Sequence, residues 1–492
     1  MEPITFAEVN VLDANSEYRG VLTKHLMEEA GKGTAEHILE TGGAGKRVLI
    51  ICGSGNNGGD GYVAARYLAQ DTEVEVILLG SRDHIRSEIS RANLRQAEEV
   101  GVQMGRVGDD LADKVAASDI IVDSMLGVGI SGAPRDVYAD AVKILNGSGK
   151  RVVSVDIPTG WGTEMAVRPE STVTFHAPKV GMGEECGTIV VKPIGIPVEA
   201  ERFAGPGELT LIPQVPNDAH KGERGNVLVI GGGPFTGAPT LAAVAAHRCG
   251  IDLVYVSVPG AVAPVVSGYS MDLIVHPVGG STADKLTPAH LEAVMAWEDR
   301  VDAVVLGPGM GEDPGSLEMA ASVYKRLAAA GKPVVVDADA LKAFRTMGDV
   351  PPHPGAVLTP HAGEFAILTG EPLPSDLDAR VEAVRTLATK MGCIVLSKGP
   401  IDVVSDGKRV KLNDSGNAAM ATGGTGDVLS GAVGAMLAKG MDPFDAARAA
   451  VFLVGAAGDE GLEELGHSML ASDMLWNLPG VLSEYVPWWN GR

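Results

Sequence analysis

The chain has 492 residues, which predicts about two to four domains. Hydrophobic residues make up 45% of it and glycines number 64, which argues against disorder and favours α/β domains with glycine-rich ligand loops. The net charge is −23 and no basic cluster is present, which argues against a nucleic-acid partner. Four scattered cysteines, no signal peptide and no long apolar stretch predict a soluble, cytoplasmic protein without a membrane partner.

The first half alternates predicted strands and helices. Apolar residues at helical spacing predict one helix over residues 8–40, and a continuous apolar run predicts a buried strand over 47–52. A glycine loop and a helix follow, and then strands at 74–80, 119–127 and 151–161, with a helix at 87–100. This alternation predicts a parallel sheet, whose ligands bind at the carboxyl ends of the strands.

A stretch rich in proline and glycine, from Val191 to Pro216, predicts a linker or a domain boundary. We place the domain boundary within it and expect domains at 1–207 and 208–492. A second βα series follows, with predicted strands near 226–233, 252–259, 302–311, 332–341, 355–365 and 393–399. The fold class is therefore α/β with two domains.

Residues 417–431 read NAAMATGGTGDVLSG and place a glycine turn before an apolar helix. Successive backbone N–H groups at a helix N-terminus bind phosphate oxygens, and glycine permits the tight turn. Asp427 would repel a phosphate if it served binding alone, so we interpret it as a base for a hydroxyl that attacks a phosphoryl group. The alternative is a helix-capping aspartate.

Polar residues also end the strands of the first half. A GxGxxG at Gly53, Gly55 and Gly58 fits a dinucleotide loop only loosely, because Asn56, Asn57 and Asp60 crowd it with polar groups. Asp123 and Asp156 each end an apolar strand, and Thr159 follows closely. These oxygens suit a hard cation or shared acid–base chemistry, unless one of the aspartates only forms a turn.

The predicted strands of the second half end in glycines and charged residues. Gly307, Pro308 and Gly309 bring bare backbone to a strand end, and Asp337 and Asp339 follow a valine run. His361 is interpreted as a ligand contact, with a loop or core histidine as the alternative. Lys398 contacts nucleotide phosphates or is a solvated lysine, and the sequence leaves both open.

Taken together, these motifs resemble a known family. The second half is similar to the ADP-dependent NAD(P)H-hydrate dehydratases of the ribokinase-like superfamily, through HKG (220–222), GPGMG (307–311), VVDADAL (335–341), LTPHAGEF (358–365) and GGTGD (423–427). The first half resembles the NAD(P)H-hydrate epimerases, through NSEY (15–18), GSGNNGGDGYVAAR (53–66), VDSMLGVG (122–129) and DIPTG (156–160). The resemblance implies a Rossmann-like parallel-sheet sandwich followed by a ribokinase-like domain.

For the first domain, the resemblance implies a site for the hydrated cofactors NADHX and NADPHX. Asp156 would be its acid–base residue, and Asn57, Asp123 and Thr159 would bind K⁺. Thr159 replaces the more common serine and keeps the hydroxyl, whereas Glu29 stands where the family usually has asparagine. The residues implied in substrate binding are Asn56, Asn57, Gly58, Gly59, Asp60, Gly127, Val128, Gly129, Ile130, Ser131, Gly132, Ala133 and Asp156.

For the second domain, the resemblance implies dehydration of the hydrate at the expense of ADP, giving AMP and phosphate, with Mg²⁺ accompanying the nucleotide. Ala238, Gly309, His361 and Asp427 would contact the hydrate, and Asp427 would be catalytic. The residues implied in ADP binding are Lys398, Gly399, Pro400, Ile401, Asp402, Asn417, Ala418, Ala419, Met420, Ala421, Thr422, Gly423, Gly424, Thr425 and Gly426.

Three other functions compete with this interpretation. The first is a ribokinase-like small-molecule kinase, which shares the GGTGD chemistry. The second makes the first domain an inactive binding or scaffold module, although Asn57, Asp60, Asp123 and Asp156 together argue against it. The third, an NAD-dependent dehydrogenase, lacks a recognisable catalytic set. A homo-oligomer is expected.

Overall fold

The structure is a computed structural model that describes residues 2–106, 110–129, 132–216, 218–348, 350–486 and 488–489. The chain forms two compact units, Met1–Val198 and Glu199–Arg492. The boundary predicted after residue 207 lies nine residues beyond the start of the second unit. Among the described helices, none has the length and apolar character that a membrane-spanning helix needs.

The first unit is built on a seven-stranded sheet in which every strand pair is parallel, as the βα alternation predicts. Its strand order is β3-β2-β1-β4-β5-β6-β7. The strands are β1 (Arg47–Cys52), β2 (Glu73–Leu78), β3 (Gln103–Arg106), β4 (Ile120–Ser124), β5 (Arg151–Val155), β6 (Ser171–Phe175) and β7 (Thr188–Lys192). The helices are α1 (Phe6–Tyr18), α2 (Thr23–Ile38), α3 (Asn56–Leu68), α4 (Glu88–Glu99), α5 (Leu111–Ala117) and α6 (Asp136–Gly147).

The single helix predicted over residues 8–40 is wrong, because two helices occupy this region. The first ends at Tyr18, and Gly20 has a φ of 87°, a left-handed conformation that glycine adopts without steric cost. The second then packs closely on α3, where a β-carbon at Gly31 would lie 2.4 Å from that of Val63. Because apolar residues keep a helical spacing on both sides of this turn, the sequence pattern did not indicate the break.

In this sheet the chain leaves β1 for β2 and β3 on one side and then returns to place β4 on the other side of β1. Ligands of such sheets bind where the strand order reverses, outside the carboxyl ends of the two central strands. Buried side chains of the described residues form hydrophobic clusters that include the alternate sets Val48, Ile50 and Leu49, Ile51 of β1. The sheet is therefore covered on both faces.

The second unit has a nine-stranded sheet of order β10-β9-β8-β11-β12-β13-β14-β15-β16. Its strands are β8 (Asn226–Ile230), β9 (Leu253–Pro259), β10 (Ile274–Val278), β11 (Ala303–Leu306), β12 (Val334–Val336), β13 (Ala356–Leu358), β14 (Ile394–Ser397), β15 (Asp402–Ser405) and β16 (Val410–Asn413). Its helices are α7 (Val198–Arg202), α8 (Gly237–Arg248), α9 (Ala263–Tyr269), α10 (Leu291–Val294), α11 (Pro314–Ala330), α12 (Ala362–Thr369), α13 (Leu377–Met391), α14 (Thr425–Ala438), α15 (Pro443–Leu465) and α16 (Ala471–Tyr485).

The last two strands of this sheet, β15 and β16, are antiparallel, so the sheet is mixed and not purely parallel. They are short and carry few apolar residues in a row, and the sequence pattern did not distinguish them from a loop. The strand order reverses between β8 and β11, which places the glycine loops after these two strands beside each other. The backbone N–H of Gly232 donates to the carbonyl of Pro308 at 2.9 Å.

The stretch interpreted as a linker is packed structure in its second part. Glu208 is completely buried, and its carboxylate lies 3.0 Å from the ammonium of Lys411 and 3.3 Å from the guanidinium of Arg448. The backbone N–H of Ala204 donates to the carbonyl of Leu412 at 2.7 Å. Residues 199–212 are therefore part of the second unit, and their proline and glycine content reflects tight turns.

Candidate active sites

The first unit contains a cavity of about 640 Å³ at the carboxyl ends of its central strands. Its wall combines residues from α1, α2, the loop after β1, the loop after β4 and the segments after β5 and β6. Among the predicted site residues, the structure brings Asn56, Asn57, Asp60, Gly127, Val128, Gly129 and Asp156 to this wall.

Other predicted residues of this site have a different place. Gly58 and Gly59 lie in α3 and serve packing, because a β-carbon at Gly58 would lie 2.1 Å from the carbonyl oxygen of Gly53. Gly132 and Ala133 do not line the cavity. Ile130 and Ser131 lie outside the described residues.

Asp156 forms an ion pair with Lys179 that is almost completely shielded from solvent. The distance between Asp156 Oδ1 and Lys179 Nζ is 2.9 Å, and the lysine side chain is 1% exposed. Lys179 Nζ also donates to Thr174 Oγ1 and to the carbonyl of Phe175, both at 3.0 Å. Asp156 has a φ of 63°, a left-handed conformation that non-glycine residues rarely adopt, which indicates that surrounding contacts fix its carboxylate.

Two further carboxyl groups face the same cavity. Burial, assisted by the charge of Asp156 and opposed by Lys179, raises the pKa of Asp13 to about 6. Burial and the charges of Asp156 and Asp13 hold the pKa of Asp60 well above its usual range. The cavity therefore combines groups that differ in their tendency to ionise, as proton-transfer chemistry requires.

Next to the cavity lies a buried group of oxygen atoms at the end of β4. Asp123 Oδ1 accepts a hydrogen bond from Thr159 Oγ1 at 2.6 Å, and Asp123 Oδ2 accepts from the Thr159 N–H and from Ser154 Oγ, both at 2.9 Å. Burial raises the pKa of Asp123, although these hydrogen bonds lower it. The side-chain amide of Asn57 is buried, and neither its oxygen nor its nitrogen has a hydrogen-bond partner. Asn57, Asp123 and Thr159 are the predicted K⁺ ligands.

Glu29 does not take part in this site, because its side chain is 47% exposed and pairs with Lys32 on the surface of α2. Across the described residues, no group of three or more His, Cys, Asp and Glu side chains is arranged to hold a metal ion.

In the second unit, the glycine turn of residues 423–426 opens α14. Gly424 is the N-cap residue with a φ of 102°, and Thr425 Oγ1 donates to the carbonyl of Met420 at 3.0 Å. Asp427 lies in the first turn and makes no capping hydrogen bond, which contradicts the alternative of a helix-capping aspartate. The backbone N–H groups of this turn are therefore available to an anion.

Asp427 faces a cluster of charges. Burial raises its pKa to about 7, with the neighbouring Asp337 contributing to the rise and Lys398 opposing it. Lys398 Nζ lies 2.8 Å from Asp337 Oδ1 and 3.9 Å from Glu364 Oε2. Burial alone would lower the pKa of Lys398, but Asp337 and Glu364 hold it above its usual value. The lysine is thus a charged residue of the site and not a solvated one.

Lys398 also borders the glycine turn. A β-carbon at Gly426 would lie 3.2 Å from Lys398 Nζ, so a side chain at this position would displace the ammonium by a few tenths of an ångström. Burial raises the pKa of the nearby Asp402 to about 6, although Asn413 and the Gly399 N–H donate hydrogen bonds to it.

Asn417 has a structural part in this region. Its side-chain oxygen accepts from the Ala419 N–H at 3.0 Å, and its side-chain nitrogen donates to the Gly458 carbonyl and to Asp459, both at 2.9 Å. The residue therefore holds the segment before the glycine turn against α15, and residues 418–420 form a short 3₁₀ turn there.

Gly309 and Ala238 lie close together at the loop after β11 and the start of α8. A β-carbon at Gly309 would lie 3.2 Å from that of Ala238, and Gly309 has a φ of 69°. His361 begins α12: its Nδ1 accepts from the N–H groups of Gly363 and Glu364 at 3.0 and 3.2 Å. Its side chain is 59% exposed, so the ring combines a capping role with access to solvent.

Sequence reasoning missed Asp13, Lys179 and Glu364. Lys179 follows the end of β6, a strand that the sequence analysis did not predict, so the signal of a polar residue after a strand end was missed there. Asp13 lies within a helix, where an aspartate carries no such signal. Glu364 forms a capping pair with His361, because its Oε2 accepts from the His361 N–H at 2.9 Å.

Comparisons with known proteins agree with this division. Residues 23–181 match the family described as YjeF-related protein N-terminus, and residues 227–479 match the family described as NAD(P)H-hydrate dehydratase. The chain is 41% identical to the bifunctional NAD(P)H-hydrate repair enzyme Nnr of Pyrobaculum aerophilum, over 99% of both chains. It is also 41% identical to the enzyme of the same name from Archaeoglobus fulgidus, over 98% of this chain and 99% of the relative.

One solved structure supports the fold of the second unit. It is described as a hypothetic protein, SMU.573, from Streptococcus mutans, and it is 24% identical with a TM-score of 0.51. The match covers 57% of this chain and 99% of that chain.

Proposed function

The chain belongs to the family of bifunctional NAD(P)H-hydrate repair enzymes, and we propose that each of its two units carries one step of this repair. In the proposal the first unit interconverts the R and S forms of NADHX and NADPHX. The second unit dehydrates the S form to NADH or NADPH and converts ADP to AMP and phosphate. The observation that carries the proposal is Asp427, a carboxylate with a raised pKa beside a helix N-terminus and a half-buried lysine, Lys398.

The chemistry of the second step explains this arrangement. The hydrate carries a hydroxyl on C6 of the nicotinamide ring, and hydroxide is a poor leaving group at neutral pH. Asp427 removes the hydroxyl proton while the oxygen attacks the β-phosphoryl group of ADP, and the N–H groups of residues 424–426 stabilise the charge on the moving phosphoryl. The bond between the β-phosphorus and its bridging oxygen breaks, and AMP leaves. The ring nitrogen then expels phosphate from C6, and loss of a proton from C5 restores the ring double bond. Gly309 and Ala238 provide a close backbone surface for the nicotinamide.

Mg²⁺ is expected with the nucleotide, since it usually binds one or two carboxylates together with substrate phosphates. The residues fit this expectation. Lys398 Nζ donates to Asp337 Oδ1, and the other oxygen, Oδ2, lies beside the glycine turn, 3.9 Å from the place that a β-carbon on Gly426 would take. Asp337 would hold the ion, which would neutralise the charge of the ADP phosphates. Residues 398–402 and 417–426 would line the nucleotide.

In the first unit, Asp156 is the proposed acid–base residue of epimerisation, because its carboxylate is fixed by Lys179 at the wall of the cavity. We propose K⁺ binding by Asn57, Asp123 and Thr159. Asp123 and Thr159 are hydrogen-bonded to each other, and the Asn57 amide oxygen is buried without a partner, which a cation would satisfy. The ion would fix the loops after β1 and β4 that form the cavity wall. The cytoplasmic location and the homo-oligomer stay predictions.

The test is recovery of NADH, measured by the absorbance of reduced nicotinamide. The full chain is mixed with R and S NADHX, Mg²⁺ and ADP. We expect a rapid phase equal to the S fraction, followed by a slower phase that completes recovery by epimerisation. Asp156→Ala should reduce only the slow phase to its spontaneous rate, whereas Asp140→Asn, a change at an exposed position of α6, should leave both phases unchanged. Consumption of ADP without formation of NADH would instead indicate a kinase.

A further inference from the structure

The cavity of the first unit contains more proton-transferring groups than a single catalytic aspartate requires. Asp13 projects from α1, Asp60 from the first turns of α3, and Asp156 follows β5, yet all three line one cavity with Lys179. These residues come from distant parts of the chain. Their convergence on one cavity is a property of the fold and needs an explanation beyond Asp156 itself.

We propose that Asp13 is a second proton-transferring residue of this cavity and works as a pair with Asp156, while Lys179 balances the charge of Asp156. This inference rests on the proposed epimerase function of the first unit. It assigns Asp13 the role of acid when Asp156 is the base.

The contacts of Lys179 separate the roles of the carboxyl groups. Besides Asp156, the described atoms that its ammonium contacts are neutral oxygens: Thr174 Oγ1 and the carbonyls of Phe175 and Ala177, at 3.0 to 3.2 Å. Within the part of the chain that the structure describes, its one ion pair is therefore with Asp156, at 2.9 Å. Among the described residues, neither Asp13 nor Asp60 forms such an ion pair.

Asp13 and Asp60 differ in how readily they exchange a proton. Asp60 is half-buried in the cavity wall, and burial raises its pKa well above the usual range. Burial and the charge of Asp156 raise the pKa of Asp13 to about 6, which lets this group both donate and accept near neutral pH. The other titratable and charged groups of the cavity wall are Arg86, Tyr138 and His176.

A pair of groups suits epimerisation because C6 of the hydrate carries both a hydroxyl and the ring nitrogen. The Asp156 carboxylate takes the hydroxyl proton, a C=O bond forms, and the bond between C6 and the ring nitrogen breaks with its electron pair going to the nitrogen. The nitrogen takes the proton of Asp13. Rotation about the bond between C5 and C6 then exposes the other face of the carbonyl.

Ring closure reverses these transfers. The nitrogen attacks the carbonyl carbon and returns its proton to Asp13, while the oxygen takes back the proton held by Asp156. The hydroxyl now has the opposite configuration. Both carboxyl groups end in their starting states, and the step needs no oxidant, reductant or co-reactant.

The experiment uses the full chain and R-enriched NADHX with Mg²⁺ and ADP, so that the second unit reports each S molecule as NADH. For Asp13→Asn we expect kcat of the slow phase, corrected for spontaneous epimerisation, to fall about 100-fold or more. The rapid phase should be unchanged, because it depends on the second unit. Glu17→Gln alters an exposed carboxylate of the same helix and should leave both phases unchanged.

The pH profile separates proton transfer from a structural effect. In the unaltered protein, the slow-phase kcat should fall as the pH rises above about 6, where Asp13 loses its proton. Asp13→Glu should retain part of the rate together with this decline, and Asp13→Asn should lose the decline. Thermal unfolding of each variant shows whether the first unit is folded, and Asp13→Glu decides the question if Asp13→Asn does not fold.

Two results overturn the inference alone: an Asp13→Asn variant with the unaltered slow-phase kcat, or a decline above pH 6 that survives in this variant. A folded Asp13→Glu variant that has neither activity nor the pH-dependent decline also overturns it. If the unaltered protein lacks a slow phase altogether, the epimerase function itself is refuted, so the two failures are distinguishable.

Discussion

Replacement of Asp427 by asparagine should stabilise the second unit while it abolishes dehydration. The pKa of Asp427 is raised from 3.8 to about 7, which means that the folded state holds a proton that the unfolded state releases. Stability therefore falls as the pH rises from about 4 to about 7 and then stays low. Three pKa units correspond to about 4 kcal/mol, and because the side chain keeps some solvent access we expect about 2 to 4 kcal/mol.

The assay is chemical unfolding of the full chain at pH 4.5 and pH 8, with the transition of the second unit followed separately from that of the first. Asp427→Asn should raise the free energy of unfolding by about 2 to 4 kcal/mol at pH 8 and by much less at pH 4.5. Asp299→Asn, at an exposed position of the same unit, should change neither value.

The same substitution removes the proposed base. The kcat of the rapid phase should fall by about 10² to 10⁴, and the increase of kcat as the pH rises through about 7 in the unaltered protein should disappear. A stability gain that is equal at both pH values would refute the assignment of a raised pKa to Asp427. An unchanged kcat would refute its role as the base.

Three other predictions test the remaining sites. Replacing K⁺ by a large organic cation, or Asn57 by alanine, should lower the rate of the slow phase of NADH recovery and leave the rate of the rapid phase unchanged. An equal decrease of both rates would contradict a K⁺ site in the first unit. Gly426→Ala places a methyl group 3.2 Å from Lys398 Nζ and should raise KM for ADP, whereas Gly268→Ala in α9, with no atom within 4 Å of its β-carbon, should not. Glu208→Ala leaves two buried cations without their partner and should lower the free energy of unfolding of the second unit by about 3 to 5 kcal/mol in denaturant titrations; an unchanged value would show that this ion cluster contributes nothing.

Much of the fold could be predicted from the sequence, because its signals are local. Continuous apolar runs such as residues 47–52 can only be strands or helices that are buried on all sides, and glycine-rich breaks place loops at their ends. The glycine turn before α14 could also be predicted from the sequence. Three glycines around Thr425, directly before an apolar helix, are typical of a phosphate-binding turn.

The errors occurred where local signals were ambiguous. Two short helices have the same apolar spacing as one long helix, so the break at Gly20 was overlooked. The short antiparallel strands β15 and β16 gain their stability from pairing with β14, and a single strand's sequence does not contain that pairing. The segment before Glu208 was interpreted as a linker because its composition is that of a loop, whereas its buried ion pairs depend on residues about 200 and 240 positions further along the chain.

The sequence by itself predicted the two α/β domains and the loops at the strand ends, and it indicated Asp156 and Asp427 as candidate catalytic residues. Only the tertiary structure decided which charges act on them. Lys179 meets Asp156 at 2.9 Å, and Asp337 and Glu364 surround Lys398 near Asp427. The pKa of a carboxyl group depends on its burial and on charges a few ångströms away, and these distances exist only after distant segments have folded against one another.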